Sequence, residues 1–130
     1  MTYIFRPEDG RELRDERYGS VFIFDVSERA RLKNLDVALA VVDVKKRSPR
    51  HYHCQTEEVY HILEGQGRMY IEAEVEEVGP GTTIVIPRNT KHSLENTGAI
   101  PLRFLVVSSP PYDYNDDHEV DNSSSDETPA

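Results

Sequence analysis

Three histidines and one glutamate in the middle of the chain have residue types and a spacing that could bind a metal ion. His51 and His53 lie in the stretch HYHCQTEEVYHILEGQG, four residues separate His53 from Glu58, and His92 lies further downstream. Imidazole nitrogens and a carboxylate oxygen suit Fe, Mn, Ni, Cu or Zn better than Ca or Mg, which prefer all-oxygen ligands. Four such ligands leave up to two positions open on a six-coordinate metal for water, oxygen or a substrate.

The segments that must position these residues are predicted to be β-strands. Residues i and i+2 of a strand face the same side, so His51 and His53 point the same way, and a short turn lets the next strand open with Glu58. Many short segments rich in β-branched or aromatic residues, separated by Gly, Pro or Asn turns, predict an all-β sandwich or barrel. The main predicted strands are SVFIF (20–24), DVALAVVDV (36–44), EVYHIL (58–63), RMYIEA (68–73) and PLRFLVVSS (101–109).

Two spaced motifs give the chain a resemblance to a known family. The first reads His51-x-His53, four residues, Glu58, six residues, Gly65, and after 15 residues the second reads Gly81, five residues, Pro87-x-Asn89, two residues, His92, three residues, Asn96. In this order they resemble the two motifs of the cupins, over roughly residues 18 to 112. The resemblance implies a double-stranded β-helix, or jelly-roll, barrel. It also implies that His51, His53, Glu58 and His92 bind one divalent transition metal (Fe, Mn, Ni, Cu or Zn).

The chain departs from the family motifs at two turn positions. Lys45 occupies the place of the opening glycine of the first motif, and Asn89 that of the glycine in the second. The turn at Lys45 is therefore expected to differ. The turn at Asn89 is expected to survive, because asparagine tolerates the left-handed conformation better than other non-glycine residues.

Strand alternation also predicts which side chains surround the site. Tyr60 and Ile62 share the parity of Glu58, and Met69 and Ile71 are expected to face the barrel interior, where the four line a pocket or simply fill the barrel. Cys54 alternates away from His53 and is expected to be a buried, inert thiol.

The net charge of −9 comes mainly from the C-terminal part of the chain. Residues 112 to 130 contain seven acids, no Lys or Arg and no apolar periodicity, which predicts a mobile tail. The predicted organisation is an N-terminal segment (1–17), a barrel (18–112) and an acidic tail (113–130). Removing residues 115–130 is expected to leave folding and metal content intact.

The composition favours a small-molecule substrate as the partner. Neither part of the chain carries the basic patch of a nucleic-acid-binding protein, and no apolar run reaches the roughly 18 residues of a membrane-spanning helix. The single Cys54 excludes an intrachain disulfide and suits a reducing cytoplasm. Cupins that resemble this chain pair through their sheets, and the apolar strands 20–24 and 36–44 offer surface for a homodimer.

The resemblance does not fix the reaction, because the fold hosts many chemistries. Our first hypothesis is a dioxygenase-type oxidoreductase that binds a chelating substrate and O₂ at a His₃Glu metal centre. One alternative is a metal-dependent isomerase, cyclase or lyase acting on a sugar, uronate or polyketide-like compound. Another is a non-enzymatic cupin that binds a small molecule. The motifs contain no additional acid or base that marks proton transfer, which slightly favours the redox hypothesis.

Overall fold

The structure, a computed structural model, describes residues 4–24 and 32–121. These residues form mainly β-strands, with two short 3-10 helices at Pro7–Asp9 and Tyr114–Asp116. Among them no helix is long and apolar enough to cross a membrane. The strands are β1 (Arg11–Asp15), β2 (Gly19–Ile23), β3 (Asp36–Val42), β4 (His51–Tyr52), β5 (Glu57–Glu64), β6 (Gly67–Ile71), β7 (Glu74–Val78), β8 (Thr83–Ile86), β9 (His92–Asn96), β10 (Leu102–Ser109) and β11 (His118–Glu119).

The strands form two antiparallel sheets. One has the order β1-β2-β3-β10-β5-β8 and the other the order β11-β4-β9-β6-β7. Neighbours in space are often distant in sequence, since β10 lies between β3 and β5 and pairs with both. This arrangement confirms the prediction of an all-β jelly-roll barrel.

Alternation along the strands separates the barrel interior from the outer faces. On β5, Glu58, Tyr60 and Ile62 are at most 7% exposed, whereas Val59 and His61 between them are only partly buried. Burial of each large apolar side chain contributes about 1.5–3 kcal/mol, so this alternation fixes the strand register. The apolar core consists of Ala40, Val42, Tyr60, Ile62, Met69, Val78, Ile84, Ile86, Leu94, Leu102 and Phe104.

Both turn positions that depart from the family motifs adopt the left-handed conformation. Lys45 has φ 66° and lies in a turn closed by a hydrogen bond from the Lys46 N–H to the Asp43 carbonyl. The backbone of Lys45 therefore keeps the positive φ that glycine favours, at a cost of about 1–2 kcal/mol. Asn89 has φ 59°, as expected, and its N–H donates to the carbonyl of His53, so this turn is tied directly to a predicted ligand.

Both predicted barrel boundaries need correction. At the N-terminal side, β1 pairs along its whole length with β2, so the sheet begins within the predicted N-terminal segment. At the C-terminal side, the prediction of a mobile tail is wrong for residues 113–121, because β11 pairs with β4 and extends the five-stranded sheet. The composition of the segment does not reveal this packing, because the hydrogen-bond donors to its acidic side chains lie elsewhere in the chain. Arg17, for example, donates to Glu119. Residues 122–130 of the predicted tail lie outside the described residues.

Candidate metal centre

Strands β4, β5 and β9, together with the residue after β4, bring the four predicted ligands into one cluster. His51 on β4 is the Cα partner of His92 on β9, and His53 follows β4 directly. Glu58 lies on β5 of the other sheet with its side chain inward. His53, Glu58 and His92 are buried and His51 is half-buried, so the site is closed on the barrel side.

The four side chains converge as the strand parity predicts. One ligand atom from each of His51, His53, Glu58 and His92 lies within 4.8 Å of all the others. The Nε2 atoms of His53 and His92 lie 3.2 Å and 3.4 Å from Oε1 of Glu58. The ring centroids of His51 and His92 are 4.2 Å apart. This arrangement forms a cluster able to hold a metal ion.

Backbone carbonyls fix the orientation of all three imidazoles. The Nδ1 atoms of His51, His53 and His92 lie 2.8, 2.9 and 2.9 Å from the carbonyl oxygens of Pro49, Asp116 and Thr90. A carbonyl oxygen can only accept, so each Nδ1 carries the proton and donates it. In each neutral ring Nε2 then presents a lone pair to the centre of the cluster, which is the arrangement that a metal requires.

Three of the converging atoms are buried without a hydrogen-bond partner among the described residues. They are Nε2 of His53, Nε2 of His92 and Oε1 of Glu58. The short contacts between them lack hydrogen-bond geometry, and an unsatisfied buried polar atom costs about 1–3 kcal/mol. A divalent cation would satisfy all three atoms at once, so the residues present fit a metal ion. Two or three imidazoles with one carboxylate suit a transition metal rather than Ca or Mg.

Electrostatics in the metal-free cluster favour an ion pair between Glu58 and His53. Burial disfavours a charge on either group, but the two adjacent imidazoles outweigh it and hold the pKa of Glu58 well below its usual range. Burial likewise opposes the charge on His53, yet Glu58 outweighs it and raises the pKa of His53 to about 9. Burial, followed by the neighbouring His92, lowers the pKa of His51. The second oxygen of Glu58 accepts a hydrogen bond from Ser108.

The four predicted pocket-lining residues all face the barrel interior. Tyr60, Ile62 and Met69 belong to the buried core, and Ile71 packs against it partly buried. The Tyr60 ring lies 5.9 Å from the His92 ring, so it forms part of the floor beneath the cluster. Met69 and Ile71 also line an open cleft of ≈ 380 Å³ between β7 and β8. Whether these side chains contact a substrate stays a prediction.

The sequence interpretation missed two residues beside the cluster, Tyr112 and Asp117. The Tyr112 ring lies edge-on to the His53 ring at 6.0 Å, and its hydroxyl donates to Oδ2 of Asp117 at 2.8 Å. Asp117 follows the second 3-10 helix, in the segment predicted to be a tail. The signal that could have found them is Tyr112 itself, an aromatic residue that follows two prolines at the start of an otherwise polar stretch.

A second group of possible ligands, Cys54, Asp116 and His118, lies on the outer side of His53. Both carboxylate oxygens of Asp116 already accept backbone hydrogen bonds, from the N–H groups of Cys54 and Gln55. Asp116 therefore holds the turn between His53 and Glu58, and we assign it this structural role. The Cys54 thiol is exposed, so the prediction of a buried thiol is wrong; the turn directs it outward.

Comparison with known proteins supports the family resemblance. Residues 38–108 match the model of the cupin domain family Cupin_2. The uncharacterized protein MJ1618 of Methanocaldococcus jannaschii is 45% identical over 80 residues, which cover 62% of this chain and 64% of MJ1618. The chain thus spans less than two thirds of that relative.

Two solved structures share the fold over nearly their whole length. The polyketide cyclase RemF from Streptomyces resistomycificus superposes with a TM-score of 0.76 and 22% identity, covering 97% of this chain and 90% of RemF. The Streptomyces nucleoside dehydratase Pac13 gives a TM-score of 0.74 and 16% identity, covering 96% of this chain and 98% of Pac13. At these identities the similarity establishes the fold alone. Since the family model matches more than half of the chain and the fold agrees, the protein belongs to the cupin family.

Proposed function

We propose that His51, His53, Glu58 and His92 bind one divalent transition metal and that the protein is a metal-dependent enzyme acting on a small organic molecule. The observation that carries this proposal is the set of three buried, unpartnered atoms that converge within the cluster. Apolar side chains at these positions would avoid the desolvation of a buried carboxylate and two buried imidazoles, a cost that a bound metal would offset. Buried, unsatisfied and titratable groups in one cluster are typical of functional sites.

For the reaction, we place isomerase, lyase or cyclase chemistry first. A bound metal would act as a Lewis acid toward a carbonyl or hydroxyl oxygen of the substrate. The protein then has to orient the substrate and move a proton. The Asp117 carboxylate, bonded to Tyr112 next to His53, is available for this. The names of the two similar structures, a polyketide cyclase and a nucleoside dehydratase, support non-redox chemistry in this fold.

A dioxygenase, the first hypothesis from the sequence, becomes the second candidate. The observation that favours it is the apolar floor of the site, where the Tyr60 and Phe104 rings pack 4.8 Å apart in the same buried core as Ile62. Such a floor excludes water from a reactive oxygen species. A non-enzymatic cupin that only binds a small molecule is the third candidate, and absence of turnover would distinguish it.

One experiment separates these candidates. The purified protein is analysed for metal by mass spectrometry, loaded with each of Mn, Fe, Co, Ni and Zn, and incubated in D₂O with a panel of hydroxyketones, sugars and enolic or catecholic compounds. Deuterium incorporation or rearrangement without oxygen uptake supports isomerase, lyase or cyclase chemistry, and oxygen uptake supports the dioxygenase. Glu58→Gln is the control for metal-dependent turnover. A wild-type protein that retains none of these metals refutes the proposal.

We also propose a homodimer formed through the outer face of the six-stranded sheet. Cross-strand pairing places four valines in one row on this face: Val37, Val107, Val59 and Val85. Val85 is 66% exposed, and the other three are partly exposed. Leu105 pairs with Leu39 in the adjacent row, so the apolar surface is continuous across β3 and β10. A contiguous apolar sheet face of this kind is typical of an interface between protein copies.

The cytoplasmic location remains a proposal that rests on the cysteine. Cys54 is the single cysteine of the chain and its thiol is exposed. Such a thiol is kept reduced in the cytoplasm, whereas oxidising compartments favour disulfides. Fractionation of cells from the source organism would test the location.

A further inference from the structure

We propose that Asp117 is the proton acceptor of the site and that Tyr112 positions it. This inference rests on the proposed metal-dependent function and specifies how that function moves a proton. It also restricts the substrate to a molecule that can chelate a metal and that carries an acidic O–H or C–H bond next to the chelating atoms. A hydroxyketone with an enolisable carbon is the simplest example of this class.

The two oxygens of Asp117 have different surroundings. Oδ2 accepts a hydrogen bond from the Tyr112 hydroxyl at 2.8 Å. Oδ1 is buried and has no hydrogen-bond partner among the described residues. An ionised carboxylate can only accept hydrogen bonds, so Oδ1 would gain its missing hydrogen bond from a donor outside the chain. A ligand bound at the centre would supply that donor.

Asp117 lies next to the metal centre, because the carbonyl of the preceding residue, Asp116, accepts the hydrogen bond from Nδ1 of His53. The Tyr112 ring that holds it is edge-on to His53 at 6.0 Å. The negative charge of Asp117 acts on the imidazoles of both His51 and His53 and on the phenol of Tyr60. Its carboxylate is nevertheless outside the group of four ligands whose atoms lie within 4.8 Å of one another. It is therefore close to the four ligands without being one of them, and its unpartnered Oδ1 is the atom that we assign to a bound molecule.

Other carboxylates in the same segment have structural partners. Asp113 caps the second 3-10 helix by accepting from the N–H of Asn115. Asp116 accepts from two backbone N–H groups with its two oxygens. Glu119 forms a bidentate pair with Arg17. Among these four acids, only Asp117 has a buried oxygen without a hydrogen-bond partner. This oxygen distinguishes Asp117 from the acids that have a structural role.

The chemical step balances without a further reactant. An O–H or C–H bond of the substrate breaks, the proton passes to Oδ1 of Asp117, and the electron pair stays on the substrate. In an isomerisation the same proton returns to a neighbouring atom of the substrate; in an elimination it leaves with the departing hydroxyl as water. Tyr112 keeps its hydrogen bond to Oδ2 throughout and so holds Oδ1 toward the substrate. Such a positioned base contributes about 10²–10⁴-fold to a proton-transfer rate.

The test uses acetohydroxamic acid, a chelating acid that loses one proton when it binds a metal ion. The cobalt-loaded, full-length protein is titrated with this probe by calorimetry at pH 7 in two buffers of different ionisation enthalpy, which gives the number of protons released. We expect Asp117→Asn to release about one proton more than the wild type, because the side chain can no longer keep it. Its affinity should fall about tenfold, the scale of one charge-assisted hydrogen bond. Glu57→Gln, which removes the same charge from an exposed position on β5, should match the wild type in both measurements.

Two further variants keep the test decisive. If Asp117→Asn does not hold cobalt, Asp117→Ser provides the same comparison with a smaller side chain. Tyr112→Phe keeps the carboxylate but removes its positioning hydroxyl, so we expect weaker binding of the probe with an unchanged proton count. A proton count that rises in Tyr112→Phe as much as in Asp117→Asn would overturn the assignment of the proton to Asp117.

The outcomes separate this inference from the function on which it rests. A wild-type protein that binds no cobalt refutes the metal centre and the role of Asp117 together. If the protein binds cobalt and the probe, and Asp117→Asn equals the wild type in affinity and proton count, the metal centre stands and the role of Asp117 is wrong.

Discussion

The imidazole of His53 donates a hydrogen bond from Nδ1 to the backbone carbonyl of Asp116 at 2.9 Å, across 63 positions of the chain. The same Asp116 holds, with its carboxylate, the N–H groups of Cys54 and Gln55. A segment near the C-terminus therefore fixes both the ring orientation of one candidate ligand and the turn that leads to Glu58. Loss of an acceptor that orients a metal-binding histidine in this way typically changes metal affinity about 10–100-fold.

The first prediction concerns truncation of this segment, and it replaces the expectation from the sequence that removing residues 115–130 leaves folding and metal content intact. A chain that ends at residue 112 lacks β11, the contacts of Asp116 and the hydrogen bond between Tyr112 and Asp117. Its metal affinity should fall by about 10–100-fold and its melting temperature should be lower. A chain that ends at residue 121 keeps all of these contacts and should match the full-length protein. Metal retention after dialysis against a weak chelator and thermal melting would measure both effects. Equal behaviour of the two truncated chains would show that the contacts of residues 113–121 do not contribute.

The second prediction compares two neighbouring glutamates. Glu58→Gln should lower metal affinity by more than the roughly 10–100-fold that follows loss of a residue hydrogen-bonded to a ligand, because a ligand atom with its charge is removed. Glu57 is exposed and points away from the cluster, so Glu57→Gln should bind metal as the wild type does. Competition with a chromophoric chelator measures both affinities, and circular dichroism checks the fold. A larger loss in the Glu57 variant would mean that the register of β5 is wrong.

The third prediction is a pH dependence of metal binding. The pKa of His53 in the metal-free protein is raised from 6.5 to about 9, so its ion pair with Glu58 stabilises the metal-free fold fully below pH 6.5 and is lost as the pH rises through about 9. Between these values metal binding must expel the proton from Nε2 of His53. We expect release of about one proton per metal ion at pH 7.5, falling above pH 9. Calorimetry in two buffers measures this number, and zero release at pH 7.5 would contradict the ion pair.

The candidate ligands could be predicted from the sequence because short-range rules position them. His51 and His53 lie on the same face because they are two residues apart, and Glu58 follows after one turn. The relative positions of the three side chains therefore depend on only a few backbone conformations. His92 was predicted through the spacing of the second motif, and the structure places it opposite His51 in the sheet. The left-handed turn at Asn89 was predicted for the same reason, since it depends on the preference of a single residue.

The residues around the ligands could not be predicted, because their contacts join distant parts of the chain. The stretch that contains Tyr112, Asp116 and Asp117 has the composition of a disordered tail. Composition gives no information about hydrogen-bond partners about 60 residues away, such as those of Asp116. Two-residue strands such as β11 also lack enough length for alternation to be visible. The sequence favours redox chemistry slightly because no further acid or base lies near the motifs. In the structure Asp117 is bonded to Tyr112 next to His53, so a candidate base is present and this reason no longer holds.

The last prediction tests the homodimer. Light scattering should give twice the chain mass of 14.9 kDa at micromolar concentration, because the valine row on the outer face of the six-stranded sheet is more apolar than a free surface favours. Val59 lies at the centre of that row, paired with Val107 on one side and Val85 on the other. Val59→Glu would bury an unpaired charge in the dimer and should therefore give the monomer mass.

The matched control places the same charge on the other sheet. Val75 is 47% exposed on β7, which belongs to the five-stranded sheet, so Val75→Glu should leave the dimer intact. Both variants should retain metal, because neither side chain faces the cluster. A wild-type protein that scatters as a monomer would contradict the dimer. A dimer disrupted by Val75→Glu and not by Val59→Glu would move the interface to the five-stranded sheet, and β3 and β10 would then be free surface.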